Sequence, residues 1–164
     1  MAITPVLTQQ VIKLLYTALG DIAKQSNLFD RVDDHESRNP PGRGLTALVL
    51  MGGFEPVGRG SGLQSTTGRL EFTVRIAGPR MAAPDGKTDQ AVLYAAAFLM
   101  AAFNADLDLD EVVPDGLVRC VDVLGMYGSA LRMQPGWITD SEGQYRVAEL
   151  TVPLILNDVF PQGA

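Results

Sequence analysis

The sequence predicts an α+β fold: a mixed, mostly antiparallel β-sheet with an N-terminal amphipathic helix and a second, buried apolar helix packed on the sheet. Three observations carry that prediction. Apolar residues recur at helical spacing near the N-terminus, a long apolar run fills Ala91 to Phe103, and strict polar–apolar alternation marks Arg69 to Ile76. The 164-residue chain is expected to form one domain spanning 1–164, large enough to bury roughly 70% of its unfolded surface. Long loops are expected at about 30–44, 52–68 and 105–116.

Taken in order, Thr4-Pro5 suits a helix start, because proline in the first turn gives up only an amide that lacks a partner. Val11, Leu14, Leu15, Ala18, Leu19 and Ile22 then form one face, with polar residues between them, up to about Ser26. Asp30 to Gly44 is polar and contains Asn39-Pro40-Pro41-Gly42, which predicts an exposed loop. Leu45 to Met51 is a short apolar run suited to a strand with both faces covered. Gly52 to Gly68 is rich in glycine and reads as a long mobile loop.

In Arg69 to Ile76, Leu70, Phe72, Val74 and Ile76 alternate with Arg69, Glu71, Thr73 and Arg75, the pattern of a half-buried strand. Thr88 or Asp89 can cap a helix over Gln90 to Asn104, which is apolar on nearly every face and so needs cover on more than one side. Leu117 to Leu124 is a further strand candidate. Leu131 to Thr139 and Gln144 to Leu156 flank a turn at Asp140 to Gly143, which predicts an antiparallel hairpin. Pro153 favours an edge or a bulge, and Phe160 to Ala164 reads as a tail.

Composition narrows the chemistry. A net charge of −6 disfavours bulk attraction to nucleic acid or an anionic membrane. One cysteine, Cys120, and one histidine, His35, leave no internal disulfide, thiolate zinc site or multi-histidine centre. The opening MAITPVLTQQ has no basic segment followed by an apolar one, so no secretory signal is expected. The apolar run Ala91 to Phe103 is too short to span a bilayer. Neither a cofactor nor a metal is expected.

Each local cluster has a plain reading. Asp106, Asp108, Asp110 and Glu111 resemble the start of a calcium loop, but Glu111 stands where glycine is required and Leu117 where glutamate is. The glycines from Gly52 to Gly62 lack the lysine and spacing of a phosphate loop. His35 lies among Asp33, Asp34 and Glu36, and adjacent residues do not point at one another as a catalytic dyad requires. Arg43, Arg59, Arg69 and Arg75 form a local basic group, suited to pairing with a neighbouring subunit, facing DNA or resting in solvent. Trp137 and Tyr145 flank the last turn, as interface anchors or as cross-strand packing.

The order of elements resembles the tail terminator (tail completion) proteins of long-tailed bacteriophages. The resemblance rests on the amphipathic helix Thr8 to Ser26, the Pro-rich connection Asn39 to Gly42 and the sheet segment Leu45 to Met51. It continues through the glycine-rich hairpin loop, the strand RLEFTVRI, the apolar helix Asp89 to Ala105 and the closing strands. It implies a virion protein with no enzymatic activity, forming a homo-oligomeric, hexameric ring at the head-proximal end of the tail. The ring would cap the tail-tube protein, end its polymerisation and meet the head–tail connector proteins, while DNA passes only transiently through the lumen. A connector or tube subunit, or a small non-phage ligand-binding domain, is the alternative.

Overall fold

The computed structural model describes residues 5–36, 44–59, 61, 65–79, 86–106, 109, 116–141 and 143–161. Helix α1 spans Gln9–Gln25. Its cap is Thr8, whose extended backbone (φ −78°, ψ 163°) lets the hydroxyl accept the Val11 N–H at 3.2 Å. The start predicted at Thr4-Pro5 therefore falls at Thr8, because the first-turn amides need an acceptor that proline does not supply; Thr4 lies outside the described residues. At the other end Asn27 turns left-handed (φ 57°) and its N–H bonds the Lys24 carbonyl, closing the helix where predicted. Leu15, Ala18, Leu19 and Ala23 make its buried stripe.

Six strands form a mixed, mostly antiparallel sheet curled into a half-barrel. They are β1 (Arg31–Asp33), β2 (Thr46–Val57), β3 (Ser65–Ala77), β4 (Val118–Val121), β5 (Arg132–Asp140) and β6 (Gly143–Pro161). The sheet order is β1-β2-β3-β6-β4, and β5 also pairs with β6. Among the described residues, β1 pairs with β2 in parallel and the other ladders run antiparallel.

Two regions expected to be loops contain strand. Within 30–44, β1 forms because the Asp30 N–H bonds the Leu45 carbonyl at 2.9 Å and Val32 packs against the core. A three-residue edge strand is too short to show a period in sequence. Within 52–68, β2 continues to Val57 and β3 starts at Ser65, with Phe54 opposite Leu70 and Val57 opposite Thr67. The glycines there serve close approach as well as bending. A side chain at Gly52 would meet the Glu71 carbonyl oxygen at 2.7 Å, beside a register shift between Met51 and Phe54. At Gly68 it would meet Phe54 at 2.9 Å and Phe160 at 3.2 Å, whose rings stack at 5.1 Å. The predicted tail also begins as strand, since β6 runs on to Pro161.

The hairpin between β5 and β6 is as predicted: Asp140 pairs with Gly143, and Asp140 Oδ1 accepts the Gly143 N–H at 3.1 Å. Pro153 lies in the middle of the sheet rather than at an edge. It stands opposite Glu71 on β3, at the point where β6 exchanges β5 (last pair shown at Arg132–Thr151) for β4 (pair at Val121–Leu154). Its carbonyl accepts the Asp122 N–H at 2.8 Å. In an extended strand a residue's N–H and C=O point the same way, so the missing donor falls in that junction and not in the β3 ladder.

Both helices pack on one face of the sheet. Leu70, Phe72, Val74 and Ile76 of β3 join Leu150, Val152, Leu154 and Leu156 of β6 and the buried faces of both helices in one core. The ring of Tyr16 on α1 meets Phe72 edge-on at 5.0 Å. Helix α2 (Gly86–Ala105) presents Val92, Ala95, Ala96, Leu99 and Phe103 to that core. The expectation that this helix is buried on more than one side is corrected: Leu93, Tyr94 and Phe98 are 55%, 61% and 40% exposed. The chain packs α2 on the sheet and leaves its outer apolar face bare.

Candidate functional site

The sheet face opposite the helices is charged, because the alternation of β3 sends Arg69, Glu71, Thr73 and Arg75 to that side. Register places Glu55 and Glu149 among them, opposite Arg69 and Arg75. Arg75 Nε donates to Glu149 at 2.9 Å and its Nη1 donates to Glu36 at 2.9 Å. Arg69 is 6% exposed; its guanidinium pairs with Glu55 at 2.7 Å and with Glu71. Arg69 and Arg75 therefore already hold carboxylates of their own chain. Arg43 lies outside the described residues. Arg59 is exposed and forms no ion pair among the described residues.

Residues 122–131, between β4 and β5, fold over this face. Asp122 is 3% exposed, and its two carboxylate oxygens accept the N–H groups of Met126 at 2.7 Å and Tyr127 at 2.8 Å. Its carbonyl accepts the Leu131 N–H at 3.2 Å, closing the loop at its base. Gly125 adopts φ 75°, a conformation that favours glycine. A side chain at Gly128 would run into the Arg69 guanidinium, so the loop rests directly on that buried cation. Arg59 Nη1 donates to the Met126 carbonyl at 3.1 Å, and the Arg59 and Arg119 guanidinium groups stand about 6 Å from the Tyr127 ring centre, at 5.9 and 6.0 Å. A loop held this firmly nevertheless turns Leu124 (84% exposed) and Met126 (55% exposed) outward.

On the helix side, the bare face of α2 adjoins a groove of about 250 Å³ lined by Val92, Leu93, Met133, Pro135 and Arg146. Arg146 bridges the elements: its Nε pairs with Asp89 of α2 at 3.0 Å, and its guanidinium lies 4.7 Å from the Trp137 ring centre. Trp137 is half exposed. Tyr145, by contrast, is buried. Of the residues singled out from sequence, Trp137 borders the apolar surface, Arg59 flanks the opposite loop, and Arg69 and Arg75 are engaged within the chain.

The residues around His35 do not converge on one point. Asp33 pairs with Arg31, Glu36 with Arg75, and the exposed His35 with Asp34 at 2.9 Å. The hydrogen bond to Asp34 raises the His35 pKa and lowers that of Asp34. A nearby hollow of about 200 Å³ is lined by Tyr16, Thr17, Lys24, Val32 and Asp34. Burial raises the Tyr16 pKa, so that phenol stays protonated at neutral pH.

Cys120 is half-buried in β4, and burial, then the charge of Asp122, push its thiol pKa up. At pH 8 it is expected to react with iodoacetamide several-fold more slowly than a free thiol, since the thiolate is the nucleophile. A rate matching the unfolded chain's would contradict that placement. Among the described residues no group of three or more His, Cys, Asp or Glu can hold a metal, and no helix is long and apolar enough to cross a membrane. Of the acidic run, Asp108, Asp110 and Glu111 lie outside the described residues.

Asp122, Leu124 and Met126 were not singled out from sequence. A turn signal was present in Gly125 and Gly128, but nothing in one dimension shows an aspartate capping amides four and five residues on. Leu93, Tyr94 and Phe98 were visible only as part of an apolar run.

No family model and no curated protein matches the chain. Its fold matches solved structures. One is a chain of the virion of a native gene transfer agent particle, with TM-score 0.51, 15% identity, and 91% of this chain and 98% of that one covered. Another matches at TM-score 0.50 and 19% identity, with 95% of this chain and 99% of the other covered. At such identities what is shared is the fold: this chain has the architecture of a chain of that gene transfer agent virion.

Proposed function

We propose that the protein is a structural virion component, a tail terminator whose copies close into a hexameric ring on a phage-like tail tube. The observation that carries this is the match of architecture over 98% of a chain from a gene transfer agent virion. The exposed apolar surfaces on both sides of the sheet support it, because soluble chains rarely leave such residues clustered unless a partner covers them. In this role the ring touches tail-tube protein on one side and head–tail connector proteins on the other. The net charge of −6 suits a lumen through which DNA slides, since like charges repel. The protein acts without catalysis at the head-proximal end of the tail.

The test is absolute mass by light scattering over a concentration series, with negative-stain images, alongside particle assembly in cells lacking the protein. Closed rings of about six copies and tubes of uncontrolled length without the protein are the expected results. Long polymers of the protein alone would assign a tube subunit instead. Tubes of normal length that join heads in its absence would overturn the terminator role. Replacing His35 by alanine is expected to leave assembly unchanged, whereas a hydrolytic role built on Asp33, His35 and Glu36 would be lost with it.

A further inference from the structure

Strand β5 closes its end of the sheet: it pairs with β6 and with no other strand among the described residues. Two carbonyls of β6 tell which of its backbone groups face away. That of Arg146 accepts the Gly78 N–H at the end of β3, and that of Pro153 accepts the Asp122 N–H on the side of β4 and β5. Even-numbered residues of β6 therefore bond towards β3, and odd-numbered ones towards β5. Register sets those odd residues opposite Arg132, Gln134, Gly136 and Ile138. The alternate residues Met133, Pro135, Trp137 and Thr139 thus turn their backbone groups outwards, and none of these groups has a backbone partner among the described residues. Pro135 stands at an outward position, so its missing N–H costs the β6 ladder nothing.

This edge is the regular one. The stretch of β2 beyond Leu48 is broken by the register shift between Met51 and Phe54 and by Pro56, and β4 has only four residues and a shift of its own. Strand β5 keeps one register through nine residues. It also borders an apolar hollow. Met133 packs against the core, and with Pro135 it forms one wall of the groove whose other wall is Val92 and Leu93 of α2. Leu93 and Trp137 are half exposed there. We propose that β5 receives an extended segment of a partner protein as a further strand, with an apolar residue at every second position filling the groove between β5 and α2. A strand meets both features at once, whereas a helix laid in the groove would cover Leu93 and leave the edge amides unpaired. Side chains opposite Met133, Pro135 and Trp137 fall on the groove side, and the alternate ones fall beside Arg132 and Gln134. Arg132 is exposed and forms no ion pair among the described residues, so the segment carries an acidic residue on that side.

The experiment selects binders of the full chain from a random library of displayed peptides about ten residues long, the upper range of natural strands. Enriched peptides are expected to alternate apolar and polar residues, with Asp or Glu among the polar ones. Adding the strongest of them is expected to slow amide hydrogen exchange at Met133, Trp137 and Thr139 about 10-fold or more, read by NMR. Gln134, Gly136 and Ile138, already bonded to β6, change less. Only every second amide of an added strand faces β5. N-methylation of the peptide at alternate residues is therefore expected to abolish binding in one phase and to spare it in the other. Leu93→Glu puts a charge into the groove and is expected to weaken the peptide about 30-fold. That position is exposed, so an unchanged circular dichroism spectrum serves as the folding control, and the N-methylated peptides need no variant at all.

A library that yields no binder, or binders that leave exchange at Met133, Trp137 and Thr139 unchanged, would overturn the proposal. Equal loss from N-methylation in either phase would overturn it as well, because such a partner does not lie along the edge as a strand. Exchange at the same amides that slows as the protein alone is concentrated would assign the edge to a second copy and overturn the partner protein as occupant. None of these outcomes depends on the terminator role, which stands or falls by the tube-length assay.

Discussion

Replacing Asp122 by alanine is expected to destabilise the protein by about 3 kcal/mol. The carboxylate is 3% exposed and accepts two backbone N–H groups at 2.7 and 2.8 Å. Hydrogen bonds to an ionised acceptor contribute about 1.5–3 kcal/mol each; the loop can let water reach part of what is exposed, which keeps the total near the lower end. For a chain of this size that corresponds to a fall in melting temperature of about 6–12 °C. Asp122→Asn retains the shape but turns an acceptor into a donor facing an N–H, so about half the loss or more is expected. Denaturant titration measures the loss. An Asp122→Ala protein as stable as the wild type would show that the carboxylate does not hold the loop.

The buried Arg69 yields an asymmetric result. Removing its carboxylate partners together, with Glu55→Ala and Glu71→Ala, is expected to cost about 3 kcal/mol, because a cation that is 6% exposed is left without a counter-charge. Arg69→Met is expected to change stability by less than about 1 kcal/mol, since methionine removes the desolvation penalty along with the ion pair. Arg69 Nε already lacks a hydrogen-bond partner among the described residues, so that penalty is not fully offset in the native protein. Glu55→Ala alone is expected to be mild, because that side chain is 60% exposed. Urea midpoints with unchanged slopes provide the measurement. An Arg69→Met protein as damaged as the double carboxylate variant would show that the ion cluster, rather than the burial of one charge, stabilises this face.

The elements with a clean period were legible in one dimension. Helix α1 shows its stripe from Val11 to Ile22, and β3 alternates through eight residues from Arg69 to Ile76, because side chains there repeat with the geometry of the backbone. The β5–β6 turn was legible for the same kind of reason, with Asp140 and Gly143 supplying local turn chemistry. The Gly52 to Gly68 stretch was misread. Glycine reads as flexibility in sequence, whereas Gly52 makes room for the Glu71 carbonyl and Gly68 for Phe54 and Phe160, contacts set by other strands.

What the sequence by itself determined is therefore the class of fold, the order of its helices and main strands, and the alternation that sends Arg69 and Arg75 to one side and Phe72 to the other. Those properties depend on backbone period and local turn chemistry alone. The tertiary structure decided which apolar residues stay uncovered. Whether Phe98 or Phe103 faces water depends on where α2 lies across β3 and β6, and whether Leu124 projects depends on a carboxylate reaching Met126 and Tyr127. Both are relations between segments, and hydrophobicity, being a property of each residue separately, does not contain them.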